Sequence, residues 1–167
     1  MKKNVIVSLA DSNYFELLNE LVDSIKSFEE SKDTAICILD AGLSEQQKKI
    51  LSKKVDEIKS AEWDIDVPAF KVKGREWLKS QVSRAFLPKY FPNYEKFLWI
   101  DCDAWVGDWN SIKLYFKACE NGKLGITQTF TPGYKIMSKV SWVFGQLALI
   151  KSQNFKHAIK SKIGINK

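Results

Sequence analysis

Short apolar runs alternate along this chain with longer stretches in which apolar residues recur every three or four positions. Val5–Leu9 is β-branched and apolar and reads as a buried strand. Phe15, Leu18, Val22, Ile25 and Phe28 follow at helical spacing and predict an amphipathic helix to about Glu29. Thr34–Asp40 is a second buried strand. Ser44 with Gln47 then forms a capping box for a helix whose stripe is Leu51, Val55 and Ile58. A looser strand is expected around Val67–Val72, then a helix from about Glu76 through Tyr90, with Pro88 where that helix should stop. Lys96–Ile100 is a further strand. Asp108 or Ser111 caps a helix reaching Cys119, which Asn121-Gly122 ends. Leu124–Thr129 and Trp142–Ile150 read as two more strands, and a last helix occupies roughly Gln153–Lys162.

Strands alternating with helices predict an α/β fold, doubly wound on a mainly parallel sheet with helices on both faces. A length of 167 residues suits a single domain over 1–167, with no linker, internal repeat or low-complexity tract. The start, MKKNVIVSLADS, mimics a signal peptide, but its apolar stretch runs only from Val5 to Ala10. No segment approaches membrane-spanning length, so the expected compartment is the cytoplasm. Cys37, Cys102 and Cys119 are widely spaced and form no Cys-x-x-Cys pair, which argues against a disulfide framework or structural zinc. Cys102 should alternate to the face opposite its two neighbours and serve in packing. The net charge of +6 implies an anionic partner. The lysines spread through every helix instead of forming a block, and no nucleic-acid-binding motif is present. An anionic substrate or peripheral contact with an anionic membrane surface fits equally, and the lysines after Lys151 also read as a solvated helix face.

The most informative chemistry is the acid pair Asp101 and Asp103, directly after Phe97-Leu98-Trp99-Ile100. Open α/β sheets bind ligands just outside the carboxyl ends of their strands. Two carboxylates there can hold Mg²⁺ or Mn²⁺, whose shells are completed by substrate phosphates. Asp-x-Asp is a weak pattern by itself, and a strand-end turn is the competing explanation. A second copy, Asp64-Ile65-Asp66, lacks an apolar lead-in and is read as a solvated turn or edge strand. Strand one ends in Ala10-Asp11-Ser12-Asn13-Tyr14. Asp11 can accept from a base or ribose, Asn13 can bond the base through its amide, and Tyr14 can stack on the ring; alternatively Asp11 or Asn13 caps the helix. Arg84, in Val-Ser-Arg-Ala-Phe-Leu-Pro, suits diphosphate oxygens if aimed at the sheet's carboxyl edge.

Together VSLADSNYFELL, ILDAGLSEQQ and SRAFLPKYFPNYEKFLWIDCDAWVGD resemble glycosyltransferase family 8, the retaining nucleotide-sugar transferases of GT-A fold, in residues, order and spacing over about 4–116. The resemblance implies that Asp101 and Asp103 bind Mn²⁺ (or Mg²⁺) bridging the two phosphates of a UDP-sugar. It implies that Asp11, Asn13 and Tyr14 hold uridine, that Arg84 steers the diphosphate, and that a hexose passes to a glycan or lipid-linked acceptor. Three departures accompany it. Where the family has an asparagine and small residues in a later strand, this chain has Val143–Ile150, in which Gln146 either replaces the amide or is a core polar group. Gln128 stands where an acidic residue is usual. The family's C-terminal His-x-x-Gly-x-x-Lys-like motif has no counterpart, and His157 lies too early to replace it. The resemblance therefore implies a GT-A-like domain truncated at its C-terminus. A nucleotide-binding remnant without turnover is the alternative function. A haloacid-dehalogenase-like phosphohydrolase, which also places Asp-x-Asp after an apolar strand, fits less well because Ala104-Trp105 follows.

Overall fold

Four parallel strands in the order β3-β2-β1-β4 carry the molecule: β1 Asn4–Ala10, β2 Thr34–Asp40, β3 Glu57–Ser60 and β4 Lys96–Trp99. The computed structural model describes residues 2–126, of which 2–125 lie in one unit, Met1–Gly125. Full registration of β1 on β2 runs from Asn4 opposite Thr34 to Ala10 opposite Asp40, while β4 pairs with β1 from Asn4 opposite Lys96 to Val7 opposite Trp99. The expected strands at either side of Pro132-Gly133, the final helix, and Gln128, Gln146 and His157 lie outside the described residues, save 124–126, which are not in a strand.

Alternation along the central strand divides the core into two faces. Ile6 and Ala10 join Phe15, Leu18, Val22 and Ile25 of α1 (Phe15–Lys26) on one side. Val5, Val7 and Leu9 meet Leu87, Tyr90 and Phe91 on the other. Both central strands are buried on both faces, as a doubly covered parallel sheet requires. The first face also takes α6 (Trp109–Ala118) through Trp109, Ile112 and Phe116. Asp108 caps α6 by accepting from Ser111 N at 3.0 Å; α6 ends at Ala118 with Cys119 as its cap, and Asn121 and Gly122, at positive φ, follow in a 3₁₀ turn. The capping box forms as read at α2 (Glu45–Leu51): Ser44 Oγ accepts from Gln47 N, and Gln47 Oε1 accepts from Ser44 N.

Three expectations need correction. Helix α2 stops at Leu51, and Ile58 lies on β3, where Glu57–Ser60 adds to β2 as an edge. The helical spacing of Leu51, Val55 and Ile58 was coincidental, and pairing with an existing strand overrode it. The strand expected around Val67–Val72 is instead irregular chain leading into the one-turn helix α3 (Ala69–Val72). The helix expected from Glu76 to Tyr90 is broken into a 3₁₀ turn, α4 (Lys79–Ser83), a second 3₁₀ turn and α5 (Leu87–Tyr90). Pro88 lies in the first turn of α5 where it was expected to stop a helix, because a first helical turn needs no N–H from it.

Candidate functional site

Strands β1 and β4 are neighbours, although β2 and β3 extend the sheet on the other side of β1. The chain therefore reverses its winding between β1 and β4, and the carboxyl ends flanking such a switch point open into a crevice. A cleft of about 310 Å³ lies there. Three segments remote in sequence line it: Asp11 and Tyr14 after β1, Ser80, Gln81 and Arg84 around α4, and Asp101 to Asp103 after β4.

Each segment is shaped locally. Asp11 is the cap of the 3₁₀ turn Ser12–Tyr14, its Oδ1 accepting from Asn13 N at 2.9 Å and Tyr14 N at 3.2 Å. The capping role weighed from sequence is thus real, and Asp11 lines the cleft as well. The same turn is tied to the end of β2, where Ser12 N donates to the carbonyl of Gly42 at 3.1 Å. Gly42 has φ +132°, a conformation open to glycine and rarely to other residues. Tyr14 is half exposed in the cleft. Asn13 is not among the lining residues; its amide nitrogen donates to Asp11 Oδ2 at 3.4 Å.

Past β4 the chain turns, Ala104 N donating to the carbonyl of Asp101 at 3.0 Å, and both acidic side chains remain exposed at the rim. Asp101 Oδ1 accepts from Arg84 Nη2 at 2.7 Å and from Trp99 Nε1 at 2.8 Å. Cys102 packs toward the first core face as alternation requires, and burial, with Asp103 adding to it, pushes its thiol up to about 11. A thiol so placed is not a ready nucleophile at neutral pH. The second Asp-x-Asp, read as a solvated turn or edge strand, is an exposed bend at Ile65 and Asp66, and Asp64 is its exception. The Asp64 carboxylate has no exposed surface, bonding Tyr90 Oη at 2.8 Å and Lys89 Nζ at 3.0 Å.

Three carboxylates and one guanidinium line the cleft, so its own charge disfavours an anionic guest. No three acidic, histidine or cysteine side chains among the described residues converge closely enough to enclose a metal ion alone. A pair of carboxylates supplemented by phosphate oxygens and water is nevertheless the usual setting of Mg²⁺, and Asp101 with Asp103 offers the hard oxygen donors it needs. Sequence reasoning did not single out Trp77, Ser80 or Gln81. Their spacing with Arg84, at i, i+3, i+4 and i+7, is that of one helical face and could have pointed to them. The contact of Arg84 with Trp99 had no such signal.

No curated protein matches the chain. Among solved structures it is similar to an active-site mutant of LgtC and to the galactosyltransferase LgtC in complex with donor and acceptor sugar analogues. In each case identity is 24%, the TM-score 0.48, and the match covers 65% of this chain and 41% of that chain. The chain thus spans under half the length of these solved proteins. Among its described residues no helix is long and apolar enough to cross a membrane. The model of the family described as Glycosyl transferase family 8 matches residues 5–157, which takes in every stretch that carried the resemblance, and the chain belongs to that family.

Proposed function

We propose that this chain carries the donor-binding part of a metal-dependent glycosyltransferase. It would transfer a hexose from a UDP-sugar to a glycan or lipid-linked saccharide with retention of configuration. The observation that carries the reading is the gathering of Asp11, Tyr14, Arg84, Asp101 and Asp103 around one cleft at the switch point of the sheet. Asp101 and Asp103 would hold Mn²⁺ or Mg²⁺. The chemistry such a cation supplies is Lewis acidity toward the departing diphosphate. Arg84 presents a guanidinium suited to the same oxygens and neutralises charge developing on them. Asp11 and Tyr14, with Asn13 supporting Asp11, would bind the uridine: a carboxylate for base or ribose donors and a ring for stacking. Gln128 and Gln146 are the catalytic candidates, on the family resemblance alone.

The three cysteines are free thiols, which supports a reducing, cytoplasmic compartment. The net positive charge supports peripheral contact with the anionic inner membrane face.

Calorimetry with UDP, with and without Mn²⁺, tests the assignment. Asp103→Asn is expected to abolish the Mn²⁺-stimulated part of UDP binding and leave the fold intact, because an exposed side chain loses only its charge. Retention of that stimulation in the variant would refute the metal role. Donor-hydrolysis assays then separate turnover from the binding-only alternative, for which UDP binds but no sugar is released.

A further inference from the structure

Trp99 was given no role of its own by the sequence, yet it touches two of the charged groups on which the proposed function rests, Arg84 and Asp101. Trp99 and Asp101 are two residues apart on an extended chain and so project to the same side. The indole meets Asp101 with its polar edge, Nε1 donating to Oδ1 at 2.8 Å. It meets Arg84 with its face, the guanidinium carbon lying 5.0 Å from the ring centre, within cation–π range. Arg84 closes the triangle by donating from Nη2 to that same Oδ1 at 2.7 Å, and its Nε is anchored on the carbonyl of Ser80 at 3.0 Å. The ring itself is half buried against the second core face, alongside Phe97.

The geometry points to Trp99 as a positioning residue, whose N–H orients Asp101 toward a divalent cation and whose ring holds Arg84 toward a nucleoside diphosphate. The inference rests on the roles given above to Asp101 and Arg84. Its physical basis is that a carboxylate exposed at a rim rotates freely unless something fixes its plane. From the described residues, both hydrogen bonds to this carboxylate fall on Oδ1, which leaves Oδ2 as the oxygen open to a cation. Hydrogen bonds behind a metal ligand fix its orientation, and their loss typically weakens metal binding about ten- to a hundredfold. An apolar ring at position 99 would keep the second function and lose the first. An aliphatic side chain would lose both.

Two variants of the full chain separate these functions in UDP titrations at graded Mn²⁺ and in EDTA. Trp99→Phe is expected to raise the Mn²⁺ concentration at half-maximal stimulation of UDP binding about tenfold or more. Its affinity for uridine, and its preference for UDP over uridine in EDTA, should stay as in the parent. Trp99→Leu is expected to lose a further factor of about two to five in that preference, because the guanidinium no longer rests on a ring. An unchanged Mn²⁺ midpoint in Trp99→Phe overturns the positioning role and leaves the cleft assignment standing. Equal losses of uridine and UDP in Trp99→Phe also overturn it, because the ring would then serve only packing. A parent chain with no Mn²⁺-stimulated UDP binding overturns the cleft assignment and this inference together.

Discussion

Arg84 illustrates how much a single residue's meaning depends on its surroundings. It is partly exposed and paired with an exposed carboxylate, an arrangement that contributes little to stability. Its value lies in where it points. Arg84→Ala is expected to weaken UDP about ten- to a hundredfold while changing uridine affinity little, on the scale of a hydrogen bond to a charged group. Parallel titrations of the two ligands check this, and equal losses would refute a phosphate role. The two Asp-x-Asp copies teach the same lesson with opposite outcomes. Asp64 is spent on structure, held by Tyr90 and by Lys89, whose ammonium the hydrogen bonds of Glu62 and then Asp64 keep charged beyond its usual range. Asp101 and Asp103 stay exposed at the cleft. Their residue types are identical, and the apolar run before Asp101 is what separated them in the sequence.

At the scale of elements, the broken helical stretch between Glu76 and Tyr90 does two jobs that a straight helix would not. Its α4 end turns Ser80, Gln81 and Arg84 toward the cleft, and its α5 end sends Leu87, Tyr90 and Phe91 into the second core face. Tyr90 also fastens the irregular chain after β3: its hydroxyl donates to Asp64 Oδ2 at 2.8 Å and accepts from Glu62 N at 2.9 Å. Tyr90→Phe keeps the ring and removes both bonds, leaving a buried carboxylate oxygen without its donor. Urea unfolding should show a loss of about 1–3 kcal/mol. A change within a few tenths would mean that this segment is held by other contacts. The strands β1 and β2, helix α1, the capping box and the end of α6 were legible because each carries its own local signal. Edge strand β3 was not, since Glu-Ile-Lys-Ser holds one apolar residue and acquires its hydrogen bonds from β2.

For the whole molecule, the order β3-β2-β1-β4 is the decisive feature, because it places the strand ends that lead into Asp11 and Asp101 side by side. A ligand bound there touches segments spread from Leu9 to Asp103 and so stabilises most of the described unit at once. UDP with Mn²⁺ at about one hundred times its dissociation constant should stabilise the folded chain by about 2.7 kcal/mol. In a chain of this size that is a rise in melting temperature of about 5–10 °C. EDTA should remove much of it, and a melting temperature indifferent to UDP and Mn²⁺ would contradict a site built across the switch point.

The sequence alone determined the alternation of buried strands and amphipathic helices, the caps, and the acidic pair behind its apolar strand. Periodicity and capping are properties of neighbours in the chain, and a strand packed on both faces has to announce itself in apolar residues. Family membership was legible for the same reason, as its marks lie in contiguous stretches. Only the tertiary structure decided that the Asp64 carboxylate is covered, that β3 is a strand, and that Trp99, Arg84 and Asp101 form one contact. Each of those depends on partners that the sequence places elsewhere, Tyr90 for Asp64, β2 for β3, and a guanidinium seventeen residues upstream for Asp101.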